Sequence, residues 1–261
     1  MPSPPIPHPP ANQQDLAQLT AGQWAAVIAG DPTGSLAWMR AAALLGHAQA
    51  QAVLGQWMLN GHGAPRNAEE ALQWFLKAAG QKHAMGMNMA GRCYENGWGT
   101  KINLEQALYW FRQAAELGLD VGMYNYANQL AAGKSIAQDH VKALGWYSQA
   151  ASQGHAKSMT KAGRYFERGI VVTRDLAKAL SCYRQGAEGG DFRGQFCYAG
   201  MLAAQGNVAE ALVWLRKVPE TATAAYMREA GQLLLDSPSE EVRQIGQQML
   251  ERAGRAALSP L

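Results

Sequence analysis

Residues 83–118 read HAMGMNMAGRCYENGWGTKINLEQALYWFRQAAELG, and this stretch decides the fold. Apolar and small residues recur at helical spacing from Ala84 to Asn96. Gly97 then indicates a helix end, because glycine readily takes the left-handed conformation that satisfies the last carbonyls. After the polar loop WGTKIN, residues 104–117 show a second helical pattern, with apolar residues at i, i+3, i+4 and i+7. The stretch therefore predicts two helices joined by a loop.

This pattern recurs along the chain with a period of 36 residues. One helix pair buries too little apolar surface to be stable alone, so such pairs must stack. We expect the small residues to let helices approach closely and the Trp column to fill the space between units. The columns are Trp38, Trp74, Trp110, Trp146 and Cys182; Ala43, Ala79, Ala115, Ala151 and Ala187; Ser35, Ala71, Ala107, Ala143 and Ala179; and Gly61, Gly97, Gly133 and Gly169.

The repeat is clearest over residues 35–190, with shorter units at both ends. We expect an all-α solenoid of about seven stacked helix pairs over residues 12–256. After a break at Pro219, helices near 222–236 and 239–255 should close it, the last one as a polar cap. Residues 1–11, which begin with MPSPPIPHPP, predict a flexible proline-rich tail, and residues 257–261 a second tail.

Composition narrows the class of protein. Hydrophobic residues make up 48% of the chain, enough for a large core, while the net charge of only +3 argues against a nucleic-acid binder. Cys93, Cys182 and Cys197 show no CxxC spacing, so neither a disulfide framework nor a zinc site is expected. We find no secretory leader and no stretch apolar enough to span a bilayer. We therefore expect a cytoplasmic protein that binds no membrane.

Catalytic and metal-binding motifs occur only as fragments. His47, His83 and His155 fall at or next to one repeat position in different units, which favours a structural role. Residues 158–161 match the S-x-x-K nucleophile motif, but its partner motifs S-D-N and K-T-G are absent and the match lies inside a repeat helix. We therefore predict no catalytic residues, no metal and no cofactor.

The repeat resembles the Sel-one-like repeat (SLR) family, a relative of the tetratricopeptide repeat. Its pattern is roughly G-x-A-x-A-x-x-x-L-G-x-x-Y-x-x-G, a loop, and A-x-x-W-[YF]-x-x-A-A-x-x-G. Residues 83–118 depart from it mainly by Ala90 at the Leu place. The units from Asp120 and His155 differ at more positions: Ala127 for the helix glycine, Leu130 and Phe166 for Tyr, and Cys182 for Trp. The motif covers about residues 35–217. The resemblance implies a right-handed superhelix and a scaffold role.

In such a superhelix the first helix of each pair lines the concave face, and this chain places amides and cations there. Asn and Gln can hydrogen-bond an extended backbone through donor and acceptor, and Arg recognises carboxylates through its fork. The candidate groove comprises Gln49, Gln56, Asn60, Asn88, Arg92, Asn96, Tyr124, Asn128, Lys157, Arg164 and Arg168. Trp98, in an inter-helix loop, is a candidate exposed anchor, because aromatic residues dominate interface energetics. An ordinary solvated surface is the alternative interpretation.

The leading hypothesis is a non-enzymatic adaptor that holds an extended or acidic segment of a partner protein in this groove. We expect Arg92, Arg164 and Arg168 to contact successive positions of one chain. One alternative is a regulatory or immunity-type subunit that docks a folded enzyme. A hydrolase is a further alternative, disfavoured because no set of catalytic residues converges. Neither nucleic acid, membrane nor metal is an expected partner.

Overall fold

The computed structural model describes residues 8–258, and within this range the chain forms fifteen α-helices and no strand. The all-α solenoid expected from the period is confirmed. The helices are α1 Gln13–Ala17, α2 Ala21–Ala29, α3 Pro32–Leu44, α4 Ala48–Asn60, α5 Ala68–Gly80, α6 Ala84–Asn96, α7 Leu104–Glu116, α8 Asp120–Ala132, α9 His140–Ser152, α10 Ala156–Arg168, α11 Leu176–Glu188, α12 Phe192–Ala204, α13 Val208–Thr221, α14 Ala224–Leu235 and α15 Glu240–Leu258.

The chain divides into two compact units, and the division falls between Asp139 and His140. Unit 1 contains α1–α8 and unit 2 contains α9–α15. From α3 to α8 and from α9 to α13, each helix packs against the next one in sequence, and the first helices of successive pairs also touch. Stacked helix pairs therefore form both units. We predicted that the helix pairs continue as a single array over residues 12–256, and this stays a prediction.

The first helices of several pairs share the same capping residues: a histidine at the start of three and a glycine at the end of four. The Nδ1 atoms of His47, His83 and His155 accept hydrogen bonds from backbone N–H groups in the first turns of α4, α6 and α10. Burial lowers the pKa of His47 and His83, which favours the neutral imidazole, and the bond from the backbone N–H selects the tautomer with its lone pair on Nδ1. The three histidines are thus helix caps. At the other end, Gly97 takes φ 72° as predicted, as do the equivalent glycines Gly61, Gly133 and Gly169 at φ 66° to 78°.

The two helices of a pair meet where a glycine faces an aromatic ring. A Cβ added at Gly91 in α6 would lie 2.7 Å from the Phe111 ring of α7. The same contact joins Gly55 to Phe75, and in unit 2 Gly163 to Tyr183. Phe75, Phe111 and Tyr183 are fully buried. The ring therefore occupies the volume that a side chain on the facing helix would need.

The Trp column is less buried than expected. Trp38 and Trp74 are buried, but Trp110 and Trp146 are only partly buried. Trp110 nevertheless packs against the hydrophobic core of unit 1, so it helps to fill the space between repeats although it is not fully buried. The residue that follows it is fully buried in each pair: Met39, Phe75, Phe111, Tyr147 and Tyr183. Successive side chains on a helix point about 100° apart, so only one of the two neighbours can face the first helix of its pair.

Both ends of the chain differ from expectation. Trp38 Nε1 donates a hydrogen bond to the carbonyl oxygen of His8 at 3.1 Å, and Pro10 is buried, so residues 8–11 are not a free tail. Residues 1–7 and 259–261 lie outside the described residues, while α15 extends past residue 256 to Leu258. Pro219 does not break the chain either, because it sits in the last turn of α13, which ends at Thr221. The two closing helices, α14 and α15, match the prediction.

Candidate functional site

In unit 1, a cavity of about 480 Å³ opens between the first helices α4 and α6 and the loops that follow them. We call it the basic groove; its lining residues are Gln56, Leu59, Asn60, Arg66, Arg92 and Trp98. Four of the six were predicted as site residues from the sequence. Leu59 and Arg66 were missed, the latter because it lies in the inter-helix loop rather than on the helix face from which the groove was predicted.

Arg92 and Trp98 form the centre of the basic groove. Gly97 ends α6 in the left-handed conformation, and the Trp98 N–H then donates to the Cys93 carbonyl oxygen at 2.9 Å. This tight turn places the indole beside the helix, where the Arg92 guanidinium lies 4.9 Å from the ring centroid. Trp98 is half-buried and packs on the core of unit 1. The ring is therefore only partly exposed, because the returning loop presses it onto the fold, and its role as an anchor stays a prediction.

The charges around the basic groove are unbalanced. Two guanidinium groups, those of Arg66 and Arg92, face it, and none of its six lining residues is acidic. Glu95 lies nearby on α6, but its Oε1 accepts a hydrogen bond from Gln129 Nε2 at 2.7 Å. Burial raises the pKa of Glu95, while the charge of Arg92 opposes that rise. The groove therefore presents net positive charge.

In unit 2, a second cavity of about 550 Å³ lies between α10 and α12 and the loop before α11. We call it the mixed groove; its lining residues are Glu167, Arg174, Leu176, Phe196, Cys197, Gly200, Met201, Ala204 and Gln205. None of the eleven candidate groove residues named above lines it. Arg174 occupies the repeat position of Arg66, and Gly200 occupies that of Arg92. The two grooves thus arise at equivalent places in the repeat but differ in chemistry.

The sequence of the chain identifies its family. A family model for the Sel1 repeat matches residues 22–47, 48–83, 84–119, 121–155 and 156–191, more than half of the chain. The chain belongs to the Sel1 repeat family. The resemblance seen in the sequence is thereby confirmed, and Sel1 repeats are generally protein-interaction modules. A comparison with curated proteins gave no match.

Solved structures of two Sel1 repeat proteins and of one immunity protein share the fold. A Sel1 repeat protein from Oxalobacter formigenes is 23% identical with a TM-score of 0.76, over 88% of this chain and 96% of that one. A Sel1 repeat protein from Klebsiella pneumoniae is 19% identical with a TM-score of 0.51, over 84% of this chain and 99% of that one. An immunity protein from Pseudomonas aeruginosa is 15% identical with a TM-score of 0.55, over 80% of this chain and 81% of that one.

The other predicted groove residues of unit 1 lie outside the basic groove. Gln49 pairs through Oε1 with His83 Nε2 at 2.8 Å, and Asn96 Nδ2 donates to the Arg92 carbonyl. Asn88 is buried, and its Oδ1 accepts from Asn125 Nδ2 at 2.8 Å. The expectation that Asn88 lines an open groove is therefore wrong, since α8 covers it. Tyr124 and Asn128 are partly buried on α8.

In unit 2, the predicted groove residues Lys157, Arg164 and Arg168 are exposed on α10, and none lines the mixed groove. Arg164 approaches Cys197, one of the lining residues. We predicted that Arg164 and Arg168, together with Arg92 of unit 1, contact one extended chain. This stays a prediction. The sequence thus predicted the residues that line the cavity of unit 1 better than those that line the cavity of unit 2.

The serine of the S-x-x-K match lies in the packed interior. Ser158 of the S-x-x-K match is fully buried, and its Oγ contacts His155 Nδ1 at 2.8 Å, so no substrate reaches it. Burial raises the pKa of the Cys197 thiol, which disfavours the nucleophilic thiolate. Within residues 8–258, no three His, Cys, Asp or Glu side chains are grouped to hold a metal ion, and no helix is long and apolar enough to cross a membrane.

Proposed function

We propose that this Sel1 repeat chain is a non-enzymatic adaptor whose basic groove binds an acidic segment of a partner protein. The observation that carries the proposal is the pairing of two arginines with no lining carboxylate in one open cavity. Guanidinium groups bind carboxylates through two parallel N–H donors. An acidic side chain that enters the groove therefore finds complementary charge without having to displace an internal ion pair.

The amides of the groove suit the backbone of the same segment. Gln56 Nε2 donates to Asn60 Oδ1 at 2.9 Å, which fixes the orientation of both amides. Gln56 Oε1 and the Asn60 amino group then remain to accept from and donate to a peptide backbone. The indole of Trp98, held beside Arg92, offers an apolar edge to the same segment. These contacts favour an extended peptide over a lone carboxylate ligand.

The test is fluorescence anisotropy with a labelled peptide of alternating Glu and Gly, and with its Gln counterpart. The intact chain should bind the Glu peptide more tightly. Arg66→Gln with Arg92→Gln should weaken that binding by about 1.5–3 kcal/mol for each charge-assisted hydrogen bond that the substitutions remove. The matched control is Lys77→Gln with Arg112→Gln, which removes two exposed charges from the second helices α5 and α7. If both pairs of substitutions weaken peptide binding equally, the effect arises from net charge alone. The proposal that the basic groove binds the peptide would then be refuted.

The second candidate is a regulatory or immunity-type subunit that docks a folded enzyme. Exposed apolar side chains favour it, since Met85 of α6 and Tyr109 of α7 are 42% and 51% exposed. The solved immunity protein shares the fold, and at 15% identity that likeness concerns the fold alone. If Met85→Ser with Tyr109→Ser abolishes capture of a partner that the Arg66 and Arg92 variant still binds, the second candidate replaces the first.

A further inference from the structure

The mixed groove of unit 2 has an apolar floor. Phe196 and Met201 of α12 are partly buried there, and Leu176 at the start of α11 is 46% exposed. Gly200 lies between them along α12, and a Cβ added to it would meet nothing within 4 Å. The missing side chain leaves the floor open. Apolar surface of this kind binds apolar groups because burial removes it from water.

Two charged side chains, Glu167 and Arg174, lie at the rim of the mixed groove, and each has atoms that can hydrogen-bond to a ligand. Glu167 Oε2 accepts a hydrogen bond from the Tyr183 hydroxyl at 2.7 Å, which leaves Oε1 to accept another. Arg174 Nε donates to the Glu167 carbonyl at 3.0 Å, which fixes the guanidinium at the rim and leaves its terminal nitrogens to a ligand. An occupant must therefore be apolar in its body and carry a hydrogen-bond donor.

We propose that the mixed groove binds one tryptophan or tyrosine side chain of a partner protein. The ring would cover Phe196, Leu176 and Met201, and methionine adapts well to aromatic surfaces. The planar guanidinium of Arg174 stacks on an aromatic face, which an aliphatic side chain lacks. The indole N–H or phenol O–H donates to Glu167 Oε1. A leucine in the same place would leave that carboxylate oxygen without a donor.

The site is independent of the basic groove, because all of its residues belong to unit 2. The proposed ligands also differ, because the mixed groove would bind an aromatic ring and the basic groove a carboxylate. Variants of Arg66 and Arg92 should therefore leave it intact. A negative binding result for one groove therefore leaves the proposal for the other groove unaffected.

The experiment titrates the intact chain, carrying ¹³C-methyl methionine, with N-acetyl-tryptophanamide, N-acetyl-tyrosinamide and N-acetyl-leucinamide. The Met201 methyl resonance should shift saturably with the first two, and leucinamide should bind about tenfold more weakly, the expected effect of losing one charge-assisted hydrogen bond. The methyl of Met249, which is buried elsewhere in unit 2, should not respond. A Met201 signal that does not saturate, or that responds equally to leucinamide, would overturn the proposal.

Two matched variants separate binding from folding. Gly200→Leu should fill the groove and abolish the Met201 response to the aromatic amides. Gly145→Leu on α9 is its control, since a Cβ there also meets nothing within 4 Å. Both substitutions should preserve or raise the melting temperature, because leucine has the higher helix propensity. Glu167→Gln should reduce the preference for the aromatic amides over leucinamide to the part that stacking on Arg174 supplies. Undiminished binding in Gly200→Leu would place the ligand elsewhere and contradict the proposal.

Discussion

The basic groove of unit 1 and the mixed groove of unit 2 are made from the same repeat positions with different side chains. Leu59, Arg66 and Arg92 in one correspond to Glu167, Arg174 and Gly200 in the other, at intervals of 108 residues. The arginine in the loop is retained, whereas the other two positions change in charge and size. The two grooves therefore form at equivalent repeat positions but are lined by different side chains, and we expect those side chains to determine what each groove binds.

The largest effect should come from the packing that both grooves share. Phe111→Ala removes a fully buried ring that faces Gly91, and it should cost about 3–5 kcal/mol of unfolding free energy. Trp110→Ala should cost less because Trp110 is only partly buried, and Trp98→Ala least. Urea unfolding monitored by circular dichroism measures the three. If Trp98→Ala costs as much as Phe111→Ala, then the loop residue belongs to the core and not to the groove.

The sequence predicted the repeat frame in detail. Helices expected over residues 84–96 and 104–117 are found as α6 and α7, with one boundary displaced by one residue. This was possible because glycine caps and small-residue columns act locally and identically in every unit. Gln56, Asn60 and Arg92 could be assigned to the groove for the same reason, since their position relative to the helix glycine sets the face on which they lie.

The remaining residues that line the grooves could not be predicted, because their positions depend on loops and on contacts between neighbouring helix pairs. Asn88 occupies a suitable face of α6, yet Asn125 of α8 covers it. Arg66 reaches the groove from a loop, whose conformation the helical period does not specify. Phe196 and Met201 look like core residues in the sequence, and the open space beside them at Gly200 is visible only in the structure.

The next largest effect should follow from exchanging the chemistry of the two grooves. Gly200→Arg combined with Glu167→Gln gives the mixed groove the two arginines of the basic groove and removes its carboxylate. Against an Arg66→Gln, Arg92→Gln background, it should restore binding of the Glu–Gly peptide by about 1.5–3 kcal/mol for each charge-assisted hydrogen bond. Gly200→Gln with Glu167→Gln is the uncharged control. Peptide binding that stays absent in the arginine variant would mean that the repeat position alone does not define the site.

A smaller effect concerns the first helix pair of unit 1, which holds the start of the described chain. Deleting residues 1–11 removes the His8 carbonyl that pairs with Trp38 Nε1 and uncovers the surface beneath Pro10. We expect a loss of about 0.5–1.5 kcal/mol, because the indole N–H loses its protein acceptor. Deleting residues 1–7 should change the melting temperature by less than about 2 °C. Equal losses for both deletions would assign the stabilising contact to residues 1–7 instead.

The smallest expected effect separates the loops that border the two grooves. Gly99, beside Trp98, has φ 70°, and Val171, at the same repeat position before Arg174, has φ 55°. A β-branched residue is strained there, whereas glycine is not. Val171→Gly should therefore raise the unfolding free energy by about 0.5–1 kcal/mol, the relief of strain being partly offset by the greater entropy of glycine in the unfolded chain. Val141→Gly is the comparison, because this exposed valine of α9 has no such strain and should lose about 0.5–1 kcal/mol of stability instead. If both glycine variants are destabilised alike, the loop before the mixed groove is unstrained, and Val171 contributes a contact that glycine cannot replace.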